Sequence, residues 1–257
     1  MSEKIKNKNL CIIQARMGST RLPGKVLFEV DGVVLLEYQI NRVKLAKKID
    51  KIVVATGDNQ ENDLIEKLCL KLKIDCFRGS EKDVLNRYYQ CSQKYPEYEN
   101  IIRVTGDCPL IDPKVIDQVI DLFEQGAYDF VSNVEPPTFP DGMDVEIFSR
   151  TLLMQAAKNA VLPSQREHLD EYMLHNGQIK RGNVTAASDC SAIRLSVDEI
   201  EDFEVITYLI KNSQIDGSFK HYIDLLVKNP DIAKKNMSFM RNNGLEKSLA
   251  KDQLLKK

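Results

Sequence analysis

Short apolar runs alternate along this chain with longer stretches in which apolar residues return every three or four positions. The run over 10–13 reads as a buried parallel strand. Leu35, Leu36, Ile40, Val43 and Ala46 then fall on one face of an amphipathic helix. The β-branched run Ile52-Val53-Val54 centres a second strand over 51–56, Gly57-Asp58-Asn59 turns the chain, and Leu64, Ile65, Leu68 and Leu72 mark the next helix. Strand, helix, strand, helix in that order predicts an α/β protein with a parallel sheet covered on both faces.

A short strand at Asp75-Cys76-Phe77 leads to Ser80, an N-cap with Asp83 three residues on, and to a helix running to about Tyr95. A buried strand over 101–105 follows, then Asp112 and Pro113 as N-cap and first residue of a helix over 115–123. From Tyr128 the pattern changes. Residues 129–133 resemble a strand end, 136–142 form a loop rich in turn residues, and 144–148 alternate as a half-buried strand does. Helices are expected over 150–160 and 164–175, and a strand over 179–187. Residues 193–197 alternate before the chain turns helical after Asp198; beyond Asn212 it is helical and lysine-rich, with a frayed tail from Gly244.

With 257 residues, 43% of them hydrophobic, the chain can build a sizeable core. No stretch approaches eighteen apolar residues, so no membrane span is expected. The first nine residues carry three lysines and no apolar run, which argues against a secretory signal and for a cytoplasmic protein. The six cysteines form no CxxC pair and read as reduced structural thiols. A net charge of −2 spread along the chain leaves no electrostatic footprint for nucleic acid or an anionic membrane.

Candidate chemistry concentrates in three places. The first is Gln14-Ala15-Arg16-Met17-Gly18-Ser19-Thr20-Arg21-Leu22-Pro23-Gly24-Lys25, between the first strand and the first helix. Gly18 lets the backbone turn so that amides face one way, Ser19 and Thr20 add donors, and Arg16, Arg21 and Lys25 supply positive charge. Each charge-assisted hydrogen bond to a phosphate oxygen contributes about 1.5–3 kcal/mol, so about four of them hold a triphosphate at micromolar concentration. The spacing is neither that of a P-loop nor that of a dinucleotide fingerprint. The second place is Asp107, which follows Thr105 and Gly106 and is delivered to the carboxyl edge of the sheet, where one or two carboxylates suit Mg²⁺ on phosphate oxygens. The third is Asp198, which reads equally as an N-cap or as a further metal ligand.

Residues 12–25 resemble the signature of sugar nucleotidyltransferases that use CTP. These are the acylneuraminate and 3-deoxy-manno-octulosonate cytidylyltransferases and, most closely, the branch named after the spore-coat polysaccharide protein SpsF. Gly106-Asp107-Cys108-Pro109 is similar to that family's metal motif, with Cys108 in its variable position, and Val197-Asp198 through Asp202-Phe203-Glu204 to its last motif. Phe139 to Glu146 and Arg166-Glu167-His168 are similar to the SpsF-like pattern, except that Leu169-Asp170 stands where Val-Thr is usual.

The resemblance implies a Rossmann-like mixed, mostly parallel sheet with helices on both faces and a projecting dimerisation segment. Residues 1–228 would form the nucleotidyltransferase domain, with the projecting acceptor and dimer segment at about 133–192, and 229–257 a helical extension. It implies CTP binding by Gln14, Ala15, Arg16, Gly18, Ser19, Thr20, Lys25 and Thr105, with Arg78, Asp83 and Arg87 as candidates for orienting the nucleotide. Asp141, Asp144, Glu146, Arg166 and His168 would face a small-molecule acceptor, and Asp107 and Asp198 would bind Mg²⁺. Arg16, Lys25 and Asp107 would carry catalysis in a homodimer. Read as residues alone, Ser80 to Arg87 are also a well-capped surface helix, Asp144 and Glu146 also a structural pair at a sheet edge, and His168 also a satisfied helix histidine. A glycosyltransferase is a second reading, but Asp141-Gly142-Met143-Asp144 lacks D-x-D spacing. A nucleotide-binding regulator without catalysis is a third.

Overall fold

The computed structural model describes residues 8–241 and 243–255. Strands β1 (Asn9–Gln14), β4 (Lys51–Gly57), β5 (Asp75–Gly79), β6 (Asn100–Thr105), β7 (Phe130–Ser132), β8 (Glu146–Ser149) and β9 (Arg181–Asn183) form one sheet in the order β5-β4-β1-β6-β8-β7-β9. All pairings are parallel except those of β8, which runs opposite to both β6 and β7. A hairpin of β2 (Glu29–Val30) and β3 (Val33–Val34) stands apart.

Side chains alternate across the sheet as strand geometry requires. Cys11, Ile13, Val54, Ile102 and Val104 face one layer of helices, and Leu10, Ile12, Val53, Ala55 and Ile101 the other. The first layer holds α1 (Leu35–Val43), α2 (Asp63–Leu72), α4 (Pro113–Glu124), α8 (Ile200–Lys211) and α9 (Phe219–Lys228). The second holds α3 (Val84–Gln93), α5 (Arg150–Asn159) and α7 (Asp170–Leu174). Each fully buried Leu or Ile in these layers contributes about 1.5–3 kcal/mol. The buried Arg42 ties α1 to later segments by donating to the Ile111 and Gly217 carbonyls at 2.8 Å each.

From β1 the chain winds outward through β4 to β5, then returns to place β6 on the other side of β1. That reversal opens a crevice beyond Gln14 and Thr105, which are register partners. Ligands of open α/β sheets bind at such switch points.

Several expected elements differ. Helix α3 is capped by Asp83, whose side chain accepts from the Asn86 amide at 2.9 Å, while Ser80 Oγ accepts from the Asp83 amide one turn earlier. The helix expected over 164–175 breaks at His168 into α6 (Pro163–Glu167) and α7. The strand expected over 179–187 shrinks to β9, which extends the sheet beside β7. Part of the segment at 133–192 is thus woven into the sheet, and β8 lies in its interior, not at an edge. Residues 193–197 make one isolated bridge between Arg194 and Asp141 rather than a strand. The tail expected from Gly244 belongs to α10 (Asn243–Leu255), which docks on α6 through Asp252 accepting from the Ser164 amide at 3.0 Å. The expectations for residues 1–7, 256 and 257 lie outside the described residues.

Candidate functional site

Beyond the switch point lies a cleft of about 660 Å³, within the size range of small-molecule sites. Its first wall is the turn after β1. The Met17 carbonyl accepts from the Ser19 amide at 2.9 Å and the Gly24 amide at 3.0 Å, folding the loop back on itself. The left-handed conformation lies at Gly24 (φ 73°) and not at Gly18. A Cβ at Gly18 would instead come within 3.2 Å of Glu81, so Gly18 gives room for a neighbouring side chain.

Directly after Gly24, Lys25 turns into the protein and is only 7% exposed. Its Nζ donates to Asp198 Oδ1 at 2.7 Å, to Asp107 Oδ2 at 3.2 Å and to the Val197 carbonyl at 2.6 Å. Burial works against the ammonium, but Asp107 and Asp198 outweigh it and hold the Lys25 pKa above its ordinary value. Burial likewise pushes the Asp107 carboxyl up, yet Lys25 and the Thr105 hydroxyl leave it well below the ordinary aspartate value.

Asp107 is carried by β6 through Gly106. The Gly106 amide donates to the Gln14 carbonyl at 2.7 Å, and a Cβ there would meet that oxygen at 2.8 Å and the Ala15 Cβ at 2.9 Å. Gly106 serves close approach, the two strand tips being too near for any side chain.

Asp198 precedes α8 and does not cap it. Glu199 is the N-cap, and Asp202 Oδ2 accepts from the Asp198 and Glu199 amides at 2.9 Å each. The Asp198 side chain is free to face the cleft, where it also receives Arg21 at 2.8 Å and Arg194 at 2.9 Å. Arg194 further binds Asp202 at 2.8 Å and Asp141 at 2.7 Å, so one guanidinium fixes three carboxylates. Among the described residues no group of three or more His, Cys, Asp or Glu is arranged to hold a metal ion by itself. The two aspartates do offer hard oxygen donors converging on one cationic atom, which fits a Mg²⁺ that completes its shell with phosphate and water.

The far wall carries Asp141, Asp144, Glu146, His168 and Asp170. Burial pushes Asp144 up to about 6 against the pull of Arg241, with which it is paired. Glu146, buried and paired with Arg103, is pushed up to about 8, because burial outweighs Arg103 and Asp170 adds repulsion. Burial raises Asp141 despite Arg194, and lowers His168.

Gln14, Ala15, Arg16, Ser19, Thr20, Lys25, Arg87, Thr105, Asp107 and Asp198 line this cleft together with Asp141, Asp144, Glu146 and His168. Gly18, Arg78, Asp83 and Arg166 do not. Arg78 is turned to Asp63 and Glu66, and Arg166 donates to Asp83 at 3.0 Å and to the Ala157 carbonyl at 2.9 Å, a clamp between α3 and α6. Arg87 is 1% exposed, its guanidinium bonded to the Ser80 and Glu81 carbonyls. Sequence reasoning missed Arg103, Asp170, Arg194 and Arg241 as cleft residues. Only Arg194 left a signal, standing four and eight positions before Asp198 and Asp202.

A cationic turn facing two carboxylates at the switch point of a mixed α/β sheet defines a nucleotide-handling protein of the Rossmann-like class. The family model described as cytidylyltransferase matches residues 10–243, and this chain belongs to that family. It is 37% identical over 233 residues to an uncharacterized protein of Methanocaldococcus jannaschii, covering 89% of this chain and 94% of that one. It is 36% identical over 239 residues to the spore coat polysaccharide biosynthesis protein SpsF of Bacillus subtilis, covering 88% and 97%. Among solved structures, a cytidylyltransferase from Leptospira borgpetersenii superimposes with a TM-score of 0.86 at 35% identity, covering 92% of this chain and all of that one. A CMP:2-keto-3-deoxy-manno-octonic acid synthetase complexed with CTP shares the fold with a TM-score of 0.63 at 18% identity, over 80% of this chain and 99% of that one.

Proposed function

We propose that this protein is a Mg²⁺-dependent cytidylyltransferase of the SpsF-like branch, which moves the CMP group of CTP onto a sugar acid or similar acceptor and releases pyrophosphate. The product would serve surface polysaccharide or glycoconjugate synthesis in the cytoplasm, and the working form would be a homodimer. The observation that carries this reading is the convergence of Lys25, Asp107 and Asp198, from three distant segments, beside a turn rich in phosphate donors.

The triphosphate lies against the turn after β1, where Arg16, Arg21, Ser19 and Thr20 face the cleft. The acceptor lies against the wall formed by Asp141, Asp144 and Glu146. An acceptor oxygen attacks the α-phosphorus in line, the bond from that phosphorus to the bridging oxygen breaks, and the acceptor's proton passes to solvent. Catalysis of this kind is positioning and charge neutralisation, so no protein nucleophile is needed. Asp107 and Asp198 would hold Mg²⁺, which when bound neutralises phosphate charge and polarises the α-phosphate. Arg16 and Lys25, with Arg21 beside them, stabilise the charge that builds on pyrophosphate, and Arg194 keeps Asp198 aimed while they do so.

The test is pyrophosphate release from each of the four NTPs against a panel of ulosonic acids, amino sugars and phosphonates, with and without Mg²⁺. Release that requires CTP, Mg²⁺ and one acceptor class is the expected result. Triphosphate binding without release from any acceptor would sink the reading.

A further inference from the structure

Met17 is the hub of the turn after β1. Its carbonyl accepts from the Ser19 and Gly24 amides within the turn, while its own amide donates outward to Asn62 Oδ1 at 2.9 Å. Asn62 comes from the connection between β4 and α2 and is only 1% exposed. It stands at the N-cap of α2, yet its side chain caps no amide of that helix. Its Nδ2 donates instead to Glu81 Oε2 at 2.9 Å, in the loop between β5 and α3. One buried carboxamide thus ties the turn to a carboxylate two strands away.

Two glycines make room for this strut. A Cβ at Gly57, the last residue of β4, would lie 1.6 Å from Glu81 Oε2 and 2.7 Å from Asn62 Nδ2, and one at Gly18 would lie 3.2 Å from Glu81 Oε1. The backbone that carries Glu81 is itself held, because Arg87 of α3 donates to the Ser80 and Glu81 carbonyls. Arg16 Nη1 stands 3.9 Å from Glu81 Oε1, close enough to be attracted and too far to be hydrogen-bonded. A turn whose donors are already in place binds an anion without first being ordered, a step that would otherwise weaken binding.

We propose that Asn62 is a positioning residue for the nucleotide: anchored on Glu81, it fixes the turn through Met17 so that the turn's donors meet the β- and γ-phosphates of CTP. This rests on the reading of that turn as the triphosphate site. Asn62 and Glu81 act only through the turn, since neither lines the cleft.

The experiment measures CTP and CMP binding by calorimetric titration with Mg²⁺ and no acceptor. Asn62→Asp keeps the acceptor for Met17 but removes the donor to Glu81 and sets two carboxylates against each other. It should weaken CTP binding by about 10-fold, and CMP, which lacks the phosphates that face the turn, by less than about three-fold. Glu81→Gln alone keeps an acceptor for Asn62 and should bind CTP within about three-fold of the wild type. The double variant Asn62→Asp/Glu81→Gln rebuilds the pair with donor and acceptor exchanged and should return CTP binding to about the wild-type level. Unchanged CTP binding in Asn62→Asp, an equal loss of CTP and CMP, or a double variant no better than the single one overturns the inference and leaves cytidylyl transfer standing. Should Asn62→Asp not fold, Glu81→Ala decides in its place: a loss of about 3- to 10-fold for CTP alone supports the strut, and no loss, or the same loss in Glu81→Gln, overturns it. A wild type that binds no CTP removes both the inference and the reading beneath it.

Discussion

Asp198 accepts a hydrogen bond from Lys25 at 2.7 Å, although 173 positions separate the two in the chain. The same ammonium holds Asp107, so it keeps two like charges together at the spot proposed for a divalent cation. Lys25→Met leaves that pair without its shared counter-charge and should lower stability by about 3 kcal/mol. Mg²⁺ or Mn²⁺ added without nucleotide should return more stability to the variant than to the wild type, read as a shift in Tm. An identical metal effect on both proteins would count against the metal assignment.

Asp107→Ala removes a carboxylate that supports no strand or helix of its own. Pyrophosphate release should fall by about 10²–10³-fold, the usual scale for losing one group aimed at transition-state charge, while the far-ultraviolet circular dichroism stays as in the wild type. Full activity at saturating Mg²⁺ would take Asp107 out of the mechanism.

Burial and Asp170 hold Glu146 at about 8, above its ordinary value of 4.5. The folded protein therefore binds the proton more tightly than the unfolded chain does. The stabilisation this gives is complete below about pH 4.5 and is lost as pH rises to about 8. In Tm measurements across that window, Glu146→Gln should flatten the decline seen in the wild type. A variant that declines as steeply as the wild type would show that other groups set the slope.

Gly106→Ala puts a methyl group into the 2.8 Å gap to the Gln14 carbonyl. Overpacking of this kind costs about 1–3 kcal/mol and, because it wedges the β1 and β6 tips apart, should also move Asp107 away from Lys25. The expected signature is a lower Tm together with a loss of kcat larger than the change in KM for CTP. A variant with wild-type kcat would show that the spacing of the tips is not critical.

The parallel half of the sheet was legible from Leu10 to Thr105 because its strands are short, β-branched and flanked by helices whose apolar spacing survives in the sequence. Lys25, Asp107 and Asp198, which the structure brings together, were singled out on different grounds: Lys25 by the cationic turn, Asp107 by its place after a buried strand, and Asp198 by the resemblance of its motif. The cations of the far wall were not, although Asp141, Asp144, Glu146 and His168 were singled out and do line the cleft. Arg103, Arg194 and Arg241 are ordinary residues within their own segments, and what makes them site residues is pairing with Glu146, Asp141 and Asp144 across 43, 53 and 97 positions. Arg78 and Arg166 err in the other direction. Their charge suggests a ligand, but local carboxylates at Asp63, Glu66 and Asp83 use it first. His168 shows the same limit at the level of the backbone, since helical spacing runs through it while the helix itself does not.

Because β8 runs against its neighbours, it is the beginning of that strand, and the loop leading into it, that faces the cleft. Replacements at Val134 and Glu135, which line the cleft without pairing with Arg194, should therefore remodel that side of the pocket while leaving the Gln14 and Thr105 tips in place. On the proposed reading such an arrangement lets one nucleotide platform be fitted with different acceptors, and variants at these two positions are a direct route to changing which molecule is activated.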